Sequence, residues 1–241
     1  YFVSNQKNTP VNISTAFRIT GKSPELWNAV TGIMRRLPAY SQSAITTSVP
    51  MHLAPFESAF VIFRKNGANG DTTKSNYPTP AKTINITTPW VVNFDKAMRG
   101  PANPVVFNTL ADWSLNANDS IKYYSGTAYY HNTFNIAKLT PGAHYIIDLG
   151  LARAIAKVTV NGIAVGGTWT PPYQVDITKA LKPGTNKLEI KVVNTWMNRL
   201  IGDSKLPADQ RKVSATFGPD PRSGLESSGL LGPVKVEVIK Y

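Results

Sequence analysis

Residues 160–178 read VNGIAVGGTWTPPYQVDIT and continue as KALKPGTNKLEIKVVN at 179–194, and this stretch decides the fold. Asn161-Gly162 stands between two apolar strand ends. Both residues accept positive φ, so the pair predicts a two-residue type I′ hairpin joining Val158–Val160 to Ile163–Val165. Gly166-Gly167 is read as the point where the chain leaves the sheet. Pro171-Pro172 then sets an extended direction and removes two backbone donors. Asp176 precedes ITKAL, where its carboxylate can accept backbone N–H bonds at the start of a single helical turn. The KPGT turn leads into a strand in which Leu188, Ile190 and Val192 face one way and Lys187, Glu189 and Lys191 the other. This period of two marks a half-buried antiparallel strand.

The same alternation appears in RAIAKVTVNG, with Ala156, Val158 and Val160 inward, and in GPVKVEVIKY, with Val234, Val236 and Val238 inward and Glu237 outward. Alternating strands with long connections predict an all-β chain, an antiparallel sandwich of the jelly-roll kind. Composition agrees. Apolar residues make up 42% and charged residues 17%, with 18 prolines and 17 glycines, a strand-and-turn make-up in which helix is scarce. Strands are also expected at Tyr1–Ser4, Val11–Ile19, Trp27–Leu37, Thr46–Leu53 and Ser58–Arg64. In the last of these, SAFVIFRK is apolar on both faces and suits the middle of a sheet. The stretch NGANGDTTKSNYPTPAKT has no periodicity. We therefore divide the chain into a smaller β-domain or partial sandwich at 1–75, a linker at 76–88 and a jelly roll at 89–241. In the jelly roll, further strands are expected in PWVVNFD, PVVFNTLADWS and IKYYSGTAYYHNTFNI. The opening YFVSNQ reads as a strand already under way, as in a mature or excised piece of a longer protein.

The formal charge is +12, but the 26 Lys and Arg are scattered and form no basic helix. Nucleic acid is thus not expected as a partner; a solvated basic surface or an acidic glycan partner suits the charge better. No apolar run reaches the eighteen or so residues of a membrane span, so no membrane partner is expected. The absence of cysteine removes disulfides, Cys-based zinc sites and thiol nucleophiles.

In their order and spacing, VTVNGIAVGG and PPYQVDITKALKPGTNKLEIKVVN resemble the sugar-binding jelly roll of family 2 glycoside hydrolases, part of the galactose-binding-like superfamily. NTWMNRLIGD, IKYYSGTAYYHNTF and SGLLGPVKV resemble instead the C-terminal region of α-L-rhamnosidases of family 106. YFVSN, GKSPELWNAVTG and SAFVIFRK have counterparts in the segment leading into that jelly roll. The resemblance implies a non-catalytic accessory or carbohydrate-binding portion of a secreted polysaccharide-degrading enzyme, periplasmic or extracellular. Its catalytic barrel would lie upstream of Tyr1 in the parent chain.

Glycoside hydrolysis needs two carboxyls flanking the scissile bond. Five Glu and nine Asp are present. Glu189 and Glu237 read as solubilising and Asp176 as a cap, while Asp112 and Asp203 stand out beside aromatic or basic residues and read as ties for loops ahead of catalytic groups. Glu25, Glu57 and Glu226 stay open, but no catalytic residue is assigned. The family's own catalytic carboxylates belong to the barrel. His52, His131 and His144 lack nucleophile or metal-ligand spacing. No cofactor or metal is assigned, and a structural calcium stays open.

Sugar binding is the remaining site reading. Pyranoses present C–H faces to aromatic rings and hydroxyls to polar forks. Trp169, Tyr173, Trp196, Asn198 and Arg199 supply both on two neighbouring connections. Alternatives stay open: Trp196 covers the end of the sandwich with Arg199 and Asp203 locking the loop, or Trp169 packs on another domain. At the level of the whole chain, the rivals are an autonomous carbohydrate-binding module and a self-contained glycosidase.

Overall fold

The computed structural model describes residues 1–216, 218–220 and 222–240. The first part holds β1 (Phe2–Ser4), β2 (Val11–Phe17), β3 (Lys22–Trp27), β4 (Met34–Arg36), β5 (Ser41–Gln42), β6 (Thr47–Leu53) and β7 (Ser58–Asn66). One sheet runs β1-β7-β3-β4 and the other β2-β6-β5, all pairs antiparallel. The doubly apolar β7 lies inside its sheet, as its composition predicts. Phe17, Leu37, Val49, Leu53 and Val61 fill the space between the two sheets. The expected single strand at Trp27–Leu37 is instead two strand ends joined by a turn. Asn28 Oδ1 accepts from the amides of Val30 (2.9 Å) and Thr31 (3.0 Å), and Gly32 takes a φ of 70°. These bonds offer the backbone a local alternative to the ladder.

The second part holds β8 (Lys82–Asn85), β9 (Trp90–Phe94), β10 (Val105–Phe107), β11 (Thr127–Ile136), β12 (His144–Asp148), β13 (Leu151–Arg153), β14 (Ile155–Val160), β15 (Ile163–Thr168), β16 (Gln174–Asp176), β17 (Gly184–Val193), β18 (Gly229–Gly232) and β19 (Lys235–Ile239). Two short helices, α1 (Asp119–Lys122) and α2 (Met197–Ser204), interrupt it. A six-stranded sheet, β10-β9-β11-β17-β14-β15, faces a four-stranded one, β16-β12-β19-β8. Leu188, Ile190, Val192, Val234, Val236 and Val238 all enter the core between them, as their alternation predicts. Two expectations change here. Within the stretch read as linker, Lys82–Asn85 pairs with Lys235–Val238 as the edge strand β8. The first residues of IKYYSGTAYYHNTFNI form the end of α1 and a turn, and only Thr127–Ile136 is strand.

The hairpin is as expected, with φ of 52° at Asn161 and 82° at Gly162 and Val160 opposite Ile163. Gly166 and Gly167, however, stay in β15 rather than leaving the sheet. The register slips between Val158 and Thr159, and beside this bulge a Cβ on Gly167 would lie 2.4 Å from the Ala156 carbonyl oxygen, so position 167 needs glycine for close backbone approach.

Asn161 also reaches the KPGTN turn. Its amide donates to Asn186 Oδ1 (2.8 Å), and Asn186 in turn donates to the carbonyls of Lys182 (2.9 Å) and Gly184 (3.0 Å). Asn186 is fully buried, so Asn186→Ala strands several polar groups at once. We expect it to cost about 1–3 kcal/mol in urea unfolding.

The two units meet across a groove. On β6, Val49, Met51 and Leu53 enter the first core while Ser48, Pro50 and His52 line the groove. On β19, Val236 and Val238 enter the second core while Glu237 and Ile239 line the same groove from the other side. Glu237 is therefore not the solubilising outward residue that alternation implied. It is buried, and its Oε1 lies 2.7 Å from Lys235 Nζ. Alternation reveals which face leaves a core, but not that a second unit lies beyond it.

Candidate functional site

Strand register brings the two aromatic connections together. Ala156 on β14 lies opposite Thr168 of β15 on one side and Val192 of β17 on the other. Neighbouring strands are about 4.8 Å apart, so the ends of β15 and β17 emerge at one end of the sheet separated by roughly 10 Å. Trp169 follows β15 at once and Trp196 follows β17 three residues later. Their side chains stand out from the surface, 58% and 51% exposed. Tyr173 turns the other way and packs against the jelly-roll core, while its carbonyl accepts from the Leu149 amide (2.9 Å). The Asn161-Gly162 turn lies at the opposite end of β15.

Asn198 and Arg199, read as sugar-binding forks, do not reach this surface. They sit on the inner side of α2 at 1% and 5% exposure. The Asn198 amide donates to the Glu226 carbonyl (2.7 Å), and its Oδ1 accepts from the Glu226 amide (2.7 Å). Arg199 Nε lies 3.3 Å from Asp203 Oδ1. Asp203, wholly buried, accepts at Oδ2 from the amides of Lys212 (2.7 Å) and Val213 (2.9 Å). Asp112 accepts from the amides of Ser114 (2.9 Å) and Ser228 (3.0 Å). Burial pushes the Asp112 carboxyl up, but its bonds from Ser227, Ser228 and Ser114 outweigh this and hold it below the ordinary value. Asn198, Asp203 and Asp112 thus pin the long connection between α2 and β18. Residue type alone could not separate such ties from sugar contacts, because both uses need the same donors and acceptors.

The Pro-rich loop has a second face. Thr170, Pro171 and Pro172 line one wing of the inter-unit groove, about 440 Å³, opposite Met34, Phe56 and Glu57 of the first unit. His144 Nδ1 lies 2.9 Å from Asp176 Oδ2, and Asp176 Oδ1 accepts from the Thr178 amide (2.9 Å), the expected cap. Burial pushes the Asp176 carboxyl up, but Thr178 and His144 together hold it low. Glu57 goes the other way. Burial raises it above the ordinary value despite its bond from the Ala54 amide (2.7 Å). Glu25 is held low, first by Arg64 and then by the Trp27 indole. Glu226 accepts from the Thr195 hydroxyl (2.7 Å). Among the described residues no three His, Asp or Glu side chains converge in a way that could hold a metal ion.

Comparison with known proteins adds the relatives. The family model described as alpha-L-rhamnosidase matches residues 1–42, and that described as glycosyl hydrolase 2 galactose-binding domain-like matches residues 109–231. A putative beta-glucuronidase of Formosa agariphila is 37% identical over 213 residues, covering 78% of this chain and 18% of that protein. A rhamnosidase structure from Novosphingobium sp. PP1Y is 36% identical with a TM-score of 0.88, covering 99% of this chain and 22% of that one. A beta-D-glucuronidase structure for Dictyoglomus thermophilum is 20% identical with a TM-score of 0.49, covering 68% of this chain and 29% of that one. The chain spans about a fifth of the length of the first two of these relatives.

Proposed function

We propose that this chain, which belongs to the glycosyl hydrolase 2 galactose-binding domain-like family, is a non-catalytic accessory region of an α-L-rhamnosidase-like glycoside hydrolase acting outside the cytoplasm. In this reading it braces the catalytic domain of its parent protein, and the Trp169 and Trp196 end touches glycan. The observation that carries the reading is the division of roles at that end of the sheet. Asp112, Asp203 and Glu226 are engaged with backbone or hydroxyl groups, whereas the indoles of Trp169 and Trp196 stand half-exposed. Indole faces suit the C–H face of a pyranose, and a glycosidase instead needs a free carboxyl pair. Tyr173 contributes by fixing the loop from below.

The test separates this reading from its rivals. In the parent enzyme, Trp169→Ala and Trp196→Ala are expected to raise KM several-fold with kcat nearly unchanged, the mark of lost binding away from the chemistry. The isolated chain is expected to leave aryl rhamnosides uncleaved. Hydrolysis by the isolated chain that one Asp or Glu substitution abolishes would overturn the non-catalytic reading. The half-exposed indoles also favour an autonomous module. That alternative predicts retarded migration of the isolated chain in polysaccharide gels, lost in the same two variants.

A further inference from the structure

The groove between the units has the size and make-up of a small-molecule site. Such sites hold roughly 300–1,000 Å³ and occur preferentially where domains meet. The wing beneath the Pro-rich loop, about 440 Å³, lies within that range. Its walls are apolar where Met34 and Phe56 face Pro171 and Pro172, and both Met34 and Phe56 are more than half exposed. Hydroxyls and amides are interleaved with these surfaces at Asn28, Thr31 and Thr170. Asn28 uses its Oδ1 on the turn amides of Val30 and Thr31.

The charged groups of this wing already have partners, Glu57 among them through the Ala54 amide (2.7 Å). Asp176 is paired with His144, and the Arg35 guanidinium lies 4.8 Å from the centre of the Tyr77 ring while donating to the Asn76 carbonyl (2.7 Å). Apolar walls with scattered hydrogen-bonding groups and engaged charges of both signs match a neutral polyhydroxyl ring, which has C–H faces and hydroxyl edges. A strongly anionic ligand would meet Asp176 and Glu57 without a free cation cluster to receive it.

We propose that this groove binds one neutral sugar residue, with Pro171, Pro172, Met34 and Phe56 as its walls and Asn28, Thr170 and Asp176 as its polar contacts. The site is separate from the Trp169 and Trp196 surface and stands whether or not that surface meets glycan. A second wing of about 920 Å³ continues from it past His52, Tyr77 and Gln174, so a sugar seated in the first wing can belong to a longer chain.

The test is an amide chemical-shift titration of the ¹⁵N-labelled 241-residue chain with D-galactose, L-fucose and D-galacturonic acid. The neutral sugars are expected to move the amides of Asn28, Thr170 and His144. Thr170→Trp, which fills the groove, should abolish the shifts, and Phe56→Ala, on the opposite and exposed wall, should weaken them several-fold. Trp169→Ala should leave them intact. Shifts confined to the Trp169 and Trp196 loops, or no shift in the groove with any sugar, would sink the proposal. So would unchanged binding by folded Thr170→Trp and Phe56→Ala chains. Binding of galacturonic acid as tight as that of the neutral sugars would likewise overturn it.

Discussion

Trp113→Ala is expected to lower the unfolding free energy of the jelly-roll unit by about 3–5 kcal/mol, the range for removing a buried large aromatic. Trp113 is fully buried. It opens a short 3-10 turn, Trp113–Leu115, which Asp112 caps through the Ser114 amide. Its ring lies parallel to Tyr130, at 6.2 Å and 5°, and meets Phe94 (5.2 Å) and Tyr124 (5.6 Å) edge-on. The cost should fall at the upper end of the range because these neighbours cannot move into the gap. Tyr124 donates to the Thr127 carbonyl (2.6 Å) and accepts from the Asp95 amide (3.0 Å), while Tyr130 accepts from the Leu230 amide (3.1 Å). Gly229 closes the other side at a φ of 100°, where an added Cβ would lie 2.7 Å from the indole. A cavity with fixed walls keeps its full energetic cost. Urea unfolding followed by circular dichroism measures it, and Trp113→Phe should recover part. A loss below about 1 kcal/mol would mean that the cluster is not the centre of this core.

What the sequence discloses and what it conceals follow from the range of the interactions involved. The strands around Leu188–Val192 and Val234–Val238 are legible because a half-buried strand writes its two faces into consecutive residues. The Asn161-Gly162 turn and the Asp176 cap are equally local, each set by one or two side chains acting on nearby backbone. The 28–33 turn carried a signal in Asn28 and Gly32, but the apolar residues around it masked the break. Local pattern misplaces Glu237 because the groove it lines is shared with another unit, and Gly167 because its constraint comes from the neighbouring strand. At the candidate site, residue type singles out Trp169 and Trp196, and the register of three strands sets both at one end of the sheet. Residue type misplaces Asn198 and Arg199 for a different reason. Starting α2 at Met197 sets Asn198, Arg199, Gly202 and Asp203 on its buried side, and a phase of that kind cannot be read from an eight-residue helix alone. The groove was invisible in sequence, since its walls come from segments more than a hundred residues apart.

Asp203→Ala should rival the loss at Trp113, again about 3–5 kcal/mol, the cost of breaking a buried ion pair from one side. The carboxylate is wholly buried and serves four partners. It caps the amides of Lys212 and Val213, faces Arg199 at 3.3 Å and lies 3.7 Å from Arg99. Arg99 in turn donates to the Gln210 carbonyl, so both ends of the 203–213 segment depend on the same cluster. Alanine would leave two amides without their acceptor and the buried Arg199 guanidinium without its counter-charge. Burial already disfavours that cation, and Asp203 is what opposes the effect. Removing both charges should therefore cost less than the sum. The Arg199→Ala, Asp203→Ala pair is expected to show a coupling energy of about 1–3 kcal/mol in a double-mutant cycle. Asp203→Asn keeps one acceptor oxygen for the amides and should lie between wild type and alanine. The effect should extend to function, because α2 begins beside Trp196 and the cluster anchors its far end. If the proposed accessory role holds, Asp203→Ala in the parent enzyme, at a temperature where it remains folded, should raise KM in the same direction as Trp196→Ala. A destabilised variant with unchanged KM would separate the lock from the aromatic surface.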